Sequence, residues 1–156
     1  MARREKRDAA IEAGPSCVLA TTRRAARLLT QLYDAHLREH GIEAAQFALL
    51  MTIDAWPEKG HAALGRALGM DKTTLSRNLK LLHARGWVES VAGTDARTRE
   101  VMLTAEGRER LMAAEPAWRR AQAEVRAAMS DREWYAMWDA LRALTGAATG
   151  AAAEKR

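Results

Sequence analysis

The residue types most able to act together lie in one short stretch: Lys72, Thr73, Thr74, Ser76, Arg77 and Lys80 alternate with Leu75, Leu79 and Leu82. Projected at about 100° per residue, the three leucines fall in a stripe roughly 60° wide, and Ser76, Lys80, Thr73 and Arg77 span roughly 100° on the opposite side. No carboxylate interrupts that polar face. A helix about 10–12 Å across fits the major groove of B-DNA, about 12 Å wide. Arg77 can make a bidentate contact to guanine, Thr73 and Ser76 can meet base edges or a thymine methyl, and Lys80 suits a phosphate. A polar helix face is by itself often only a solvated one, so the elements around it decide what it is for.

Before it, His61 to Leu68 reads as a short helix whose Ala63, Leu64, Ala67 and Leu68 allow close packing. The turn Gly69-Met70-Asp71 then leads into a helix from Lys72 to about Ala84, closed by Gly86. That order is a helix-turn-helix. Next come two stretches rich in aromatic or β-branched residues, Trp87–Val91 and Arg99–Leu103, separated by Ala92–Thr98. They predict a β-hairpin wing with Asp95, Arg97 and Arg99 at or near its tip. An arginine on a narrow ribbon can enter a minor groove. Phosphates repel Asp95, whose expected work is to hold Arg97 or a neighbouring arginine in place. Between Lys59 and Glu100 the basic residues Lys59, Arg66, Lys72, Arg77, Lys80, Arg85, Arg97 and Arg99 outnumber Asp71, Glu89, Asp95 and Glu100 two to one. Most of the formal charge of +5 therefore sits on this unit, an electrostatic footprint for double-stranded DNA.

The 156 residues fit one domain. Residues 1–14 form a basic arm, and Gly14-Pro15-Ser16 marks the start of a long amphipathic helix that Gly41 ends. A second helix, from Ala44 to about Ala55, is apolar on most sides and is expected to be buried. After the wing, Thr104 caps a long charged helix in which Pro116 predicts a kink or a restart. Ser130-Asp131-Arg132-Glu133 has the capping-box pattern and opens a last helix with Trp134, Met137, Trp138, Leu141 and Leu144. Residues 147–156 are expected to be a disordered tail. The fold class is mainly α with a small β-hairpin wing: a winged helix-turn-helix over 44–103 inside a single domain, 15–146, flanked by dimerisation helices over 15–40 and 104–146. Trp118, Trp134 and Trp138 are expected in the core. Yet Leu19, Leu29, Leu32, Leu111 and these terminal residues together exceed what one winged-helix core needs, so a second copy is expected to cover some of them.

Other function classes lack their residues. The most apolar stretch, Ala44 to Ile53, is far shorter than the roughly 20 residues that span a bilayer. The basic start runs into Asp8 and Glu12 instead of an apolar signal core, so a cytoplasmic protein is expected. The single cysteine, Cys17, can form neither an internal disulfide nor a multi-cysteine metal site. His36 and His40 share a helix face, but no third ligand group completes a metal site. The sequence contains no Gly-x-Ser-x-Gly, phosphate-binding glycine loop or His-Glu-x-x-His, so neither an enzyme nor a cofactor is expected.

In its helical order, in LGRALGMDKTTLSRNLKLLHARGWV, and in the wing DARTREVMLTAEGRERL, whose Asp-x-Arg leads into Leu-Thr-x-x-Gly, the chain resembles the MarR-type regulators of bacteria from about Cys17 to Leu144. The resemblance implies a homodimer joined by the first helix and the last two, presenting two wings and two recognition helices to a palindromic operator. It assigns Thr73, Thr74, Ser76, Arg77 and Lys80 to the major groove and Arg97 to the minor groove. It further implies a repressor released by a small, often aromatic, effector bound between the dimerisation helices and the reader, where Tyr33 and His36 border the pocket. One branch of the family senses peroxide through a cysteine near the start of the first helix, the place of Cys17, although only Tyr33 matches the tyrosines such sensors use. The remaining alternative is an architectural DNA binder with little sequence preference and no ligand response.

Overall fold

The computed structural model describes residues 17–57, 59–93 and 99–153. Cys17, in extended conformation, precedes α1 (Val18–Leu37) without a side-chain capping bond. One 3-10 turn, Arg38–His40, carries the chain to Gly41, whose φ of 64° lets it reverse direction. Helix α2 (Ala44–Ala55) opens on a capping box in which Glu43 and Gln46 satisfy each other's amides. It is the centre of the molecule: Phe47, Leu49, Leu50 and Ile53 are all essentially inaccessible, as its apolar sequence predicts.

Strand β1 (Lys59–Gly60), α3 (His61–Leu68), α4 (Lys72–Ala84), β2 (Val88–Ala92) and β3 (Arg99–Leu103) follow. The two hairpin strands are antiparallel with Ser90 opposite Val101, and β1 adds a third strand through Lys59 opposite Val101. β3 is thus the middle strand. The sequence pattern misses β1 because two residues are too few to show a period.

Helix α5 (Ala105–Ala127) passes through Pro116 as one helix, so the expected kink or restart does not divide it. Proline removes one amide bond from the ladder. Ala114, Ala117 and Ala121 around it are fully buried, and packing against α1 and α2 holds both halves in register. Helix α6 (Asp131–Ala153) begins at the predicted capping box, with the Ser130 amide and hydroxyl both donating to Glu133 Oε2. It runs on through Gly146, past the end expected from sequence, because alanine has the highest helix propensity and dominates residues 147–153.

The core gathers α2, the inner faces of α3 and α4, the hairpin, and the buried side of α5 around Leu37 and Ile42. Trp118 joins it, stacked on Phe47 at 5.9 Å between ring centroids. Trp134 and Trp138 do not. They pack edge to face with each other on α6, where no described residue is buried and Trp138 is 42% exposed. The expectation of three core tryptophans is corrected for these two: among the described residues no helix or strand packs along α6, and only the Arg126 side chain of α5 reaches over the Trp134 ring, at 5.5 Å. The outer face of α1 is equally bare, with Leu19 65% and Leu28 55% exposed.

Candidate nucleic-acid interface

Helix α4 is held by its leucines. Leu75, Leu79 and Leu82 are buried at 3%, 2% and 0% exposure, while Lys72, Thr73, Thr74, Ser76, Arg77 and Lys80 are all exposed. The division predicted from the helical wheel is therefore the division found. Among the described residues the ion pairs lie elsewhere, on α1, the Arg38–His40 turn, α2, α5 and α6, which leaves Lys72, Arg77 and Lys80 without a carboxylate partner.

The helix-turn-helix corner is tight for identifiable reasons. Gly69 adopts φ 61°, and the Met70 amide donates to Gly65 O at 2.9 Å. A Cβ on Gly65 would sit 3.1 Å from Met70 O, so α3 and the turn approach where a side chain would intrude. Asp71 then caps α4. Its carboxylate accepts from the amides of Thr73 and Thr74, each at 2.9 Å, and from the Thr74 hydroxyl at 2.7 Å. Aspartate is a preferred capping residue, and the Asp-Lys-Thr-Thr order carries that signal, although Asp71 was expected only as part of the turn. The cap commits the Thr74 hydroxyl proton, which leaves Thr74 an acceptor oxygen and a methyl group for any further contact.

These bonds set the titration of the corner. The Thr74 amide, its hydroxyl and the Thr73 amide hold the Asp71 carboxyl below its ordinary range. A lowered native pKa means that the cap contributes fully above the unfolded-state value and is lost as pH falls through the native one. Thermal unfolding followed from neutral to acid pH should show a smaller decline for Asp71→Asn, which keeps a neutral acceptor, than for the wild type. Equal acid limbs would remove the cap from the account.

At its other end α4 meets the wing. The His83 ring and the Ser90 hydroxyl are 3.2 Å apart, joining α4 to β2. Arg99 is exposed at the start of β3, opposite Ala92. Asp95 and Arg97, the predicted tip residues, lie outside the described residues.

Tyr33 and His36, assigned by resemblance to a ligand pocket, are half-buried on α1 and bonded to α5. The Tyr33 hydroxyl donates to Gln122 Oε1, and His36 Nε2 lies 2.9 Å from Glu124 Oε2. Burial raises the pKa of the Tyr33 phenol, which keeps it a donor. Cys17 is an exposed thiol at the start of α1. A separate open cleft of about 1640 Å³ lies between the first turns of α1, the end of α6 and the helix-turn-helix, lined by Val18, Leu19, Leu75 and Leu144, with Arg66, Asp71, Lys72 and Ser76 among its polar residues. Neither Tyr33 nor His36 lines it. Among the described residues no group of histidine, cysteine and carboxylate side chains is arranged to hold a metal ion, and no helix is long and apolar enough to cross a membrane.

Residues 40–98 match the sequence model of the MarR family. The chain is 40% identical to the transcriptional regulator MosR of M. tuberculosis, solved in complex with DNA, with a TM-score of 0.79 over 87% of this chain and 98% of that one. The chain belongs to the MarR family. A probable transcriptional regulator from Pseudomonas aeruginosa shares 25% identity and a TM-score of 0.74 over 83% of this chain and 97% of its own. MarR of E. coli has the same fold, with 22% identity and a TM-score of 0.69 over 84% of this chain and 98% of that one. No curated protein sequence matches the chain. Membership makes it a winged-helix transcriptional regulator that binds DNA, not an enzyme.

The family motif Leu-Thr-x-x-Gly has a local physical cause here. Leu103 enters the core, the Thr104 hydroxyl accepts from the Gly107 amide at 3.0 Å and donates to Gly86 O at 2.6 Å, and Gly107 lies against the Trp87 backbone. This motif welds the end of the reader to the start of α5. In this MarR-family chain Thr104 is legible from sequence as a cap, whereas what Gly107 touches is not.

Proposed function

We propose that this MarR-family regulator acts as a homodimer on a palindromic operator, represses from it, and releases it when a small aromatic ligand binds. The observation that carries the reading is the exposed ridge of Thr73, Ser76, Arg77 and Lys80 standing on three buried leucines. The bare apolar faces of α1 and α6 support the dimer, since Leu19, Leu28, Trp138 and Leu141 stay exposed among the described residues. Two readers related by a twofold axis would address sites about 34–36 Å apart, one turn of DNA. Arg97 and Arg99 would serve the adjacent minor groove. The DNA-bound state of MosR, at 40% identity, supports the operator part of the reading.

The ligand part has two supports. The cleft beside α4 is open and largely apolar, and Arg66 and Lys72 outnumber its one carboxylate, Asp71, which is engaged by the Thr73 and Thr74 amides, a setting suited to an aromatic carboxylate. Tyr33 and His36 hold α1 to α5 through single polar contacts that a ligand could exchange for its own. Selection of bound duplexes from a random pool, with the oligomeric state measured in parallel, tests the whole. An inverted repeat with half-sites about 10 base pairs apart and a dimer in solution are expected. A pool without consensus would favour the architectural binder. Titration of the selected complex with aromatic carboxylic acids should then release the DNA. In the same assay Lys80→Ala should weaken every duplex alike and lower the salt dependence by about one counter-ion.

A further inference from the structure

Arg85 lies just beyond the last turn of α4, exposed, and is in the Lys59–Glu100 stretch whose charge points to DNA. Its guanidinium, however, is turned back into the molecule. Nη1 donates to Gly41 O and to Gln46 Oε1, each at 3.1 Å, and the guanidinium carbon lies 4.8 Å from the centroid of the Trp87 ring. Gln46 is 1% exposed, and its Oε1 also accepts from the Glu43 amide. One nitrogen thus joins the end of the recognition helix to both sides of the α1–α2 corner. The guanidinium carbon of Arg110 on α5 also lies 5.9 Å from the Trp87 ring centroid, and the Trp87 carbonyl accepts from the Thr104 amide.

Resting on the DNA-binding reading above, we infer that Arg85 is a positioning residue for DNA recognition: by gripping Gly41 and Gln46 it fixes the angle at which α4 leaves the body of the protein. The N-terminal end of α4 is set by the Gly69 turn and the Asp71 cap, and its middle by leucines. Leucines fix depth but resist rotation about the helix axis and tilt only weakly, because apolar contact is non-directional. Two hydrogen bonds from a charged donor to fixed acceptors supply direction. The acceptors belong to the corner where α1 ends, so a displacement of α1 reaches the reader through Arg85. Without the grip Arg77 and Ser76 would keep their exposure and lose their aim.

The test uses the full chain and the duplex that the wild type selects, with folded protein verified by its thermal transition. Arg85→Met keeps the stem over Trp87 and removes both hydrogen bonds; it should bind about tenfold more weakly with the same salt dependence as the wild type. Arg85→Lys should bind within about twofold of the wild type, because both bonds come from one nitrogen and an ammonium donates to several acceptors. Gln46→Met, at a buried position no DNA can touch, should reproduce part of the loss, and Arg85→Met should cost less in that background, as expected for residues in contact. Wild-type affinity in Arg85→Met overturns the inference. So does a salt dependence lowered by about one counter-ion, the mark of a direct phosphate contact, or loss of the thermal transition, which would assign Arg85 to stability alone. A wild type that selects no duplex would overturn the DNA reading itself, an outcome separate from these.

Discussion

Replacing Arg77 by alanine should cost about 1–3 kcal/mol of operator affinity and relax base preference at one position of each half-site. Arg77 stands in the second turn of α4, exposed, between buried Leu75 and Leu79, so it lies on the side of the helix turned away from the core. The nearest acid in sequence, Asp71, is occupied by the amides of Thr73 and Thr74, and among the described residues no carboxylate pairs with the Arg77 guanidinium. It is therefore available for a bidentate contact to guanine O6 and N7, the commonest specific contact in the major groove. A base contact and a phosphate contact leave different traces. Selection repeated with the variant should return a consensus degenerate at one base pair, whereas Lys80→Ala should return the same consensus at lower affinity. A uniform loss across all duplexes would move Arg77 from reading the sequence to holding the backbone.

The second large effect concerns the joint between the wing and α5. A Cβ at Gly107 would lie 1.9 Å from Trp87 O, 2.8 Å from Trp87 C and 3.1 Å from its Cα, all backbone atoms that cannot step aside like the end of a side chain. The same carbonyl accepts from the Thr104 amide at 3.1 Å, so pushing it away breaks a bond as well. Gly107→Ala should destabilise the protein by about 1–3 kcal/mol through overpacking, a fall in Tm of roughly 2–12 °C. Gly146 gives the contrast within one molecule. It lies inside α6, where a Cβ would meet nothing within 4 Å, so Gly146→Ala should leave Tm unchanged or raise it slightly, since alanine favours the helix. Equal melting of the two variants would refute the close approach at Trp87.

Much of the reader was legible without coordinates. The spacing of Leu75, Leu79 and Leu82 against Ser76, Arg77 and Lys80 defines which side of α4 is buried, because a helix repeats every 3.6 residues whatever surrounds it. Gly41, Gly69 and Gly86, all with positive φ, stand where helix ends were placed from sequence. Thr104 and Ser130 were recognisable caps, since capping acts within one turn. Less legible were features made by residues distant in sequence. Strand β1 exists only because β3 passes beside Lys59 and Gly60. Nothing near Gly107 in the chain announces the carbonyl of Trp87, and nothing near Arg85 announces Gly41 and Gln46.

What the order of residues determined by itself was therefore local: helix faces, turns, caps, the excess of positive charge on one unit, and through its motifs the MarR family. Tertiary structure alone decided which apolar residues find cover. Trp118 and Trp138 look alike in sequence, each on an amphipathic helix, yet one stacks on Phe47 and the other stands 42% exposed on α6. The physical reason is that periodicity fixes which side of an element is apolar, while only the path of the whole chain fixes what, if anything, lies against that side.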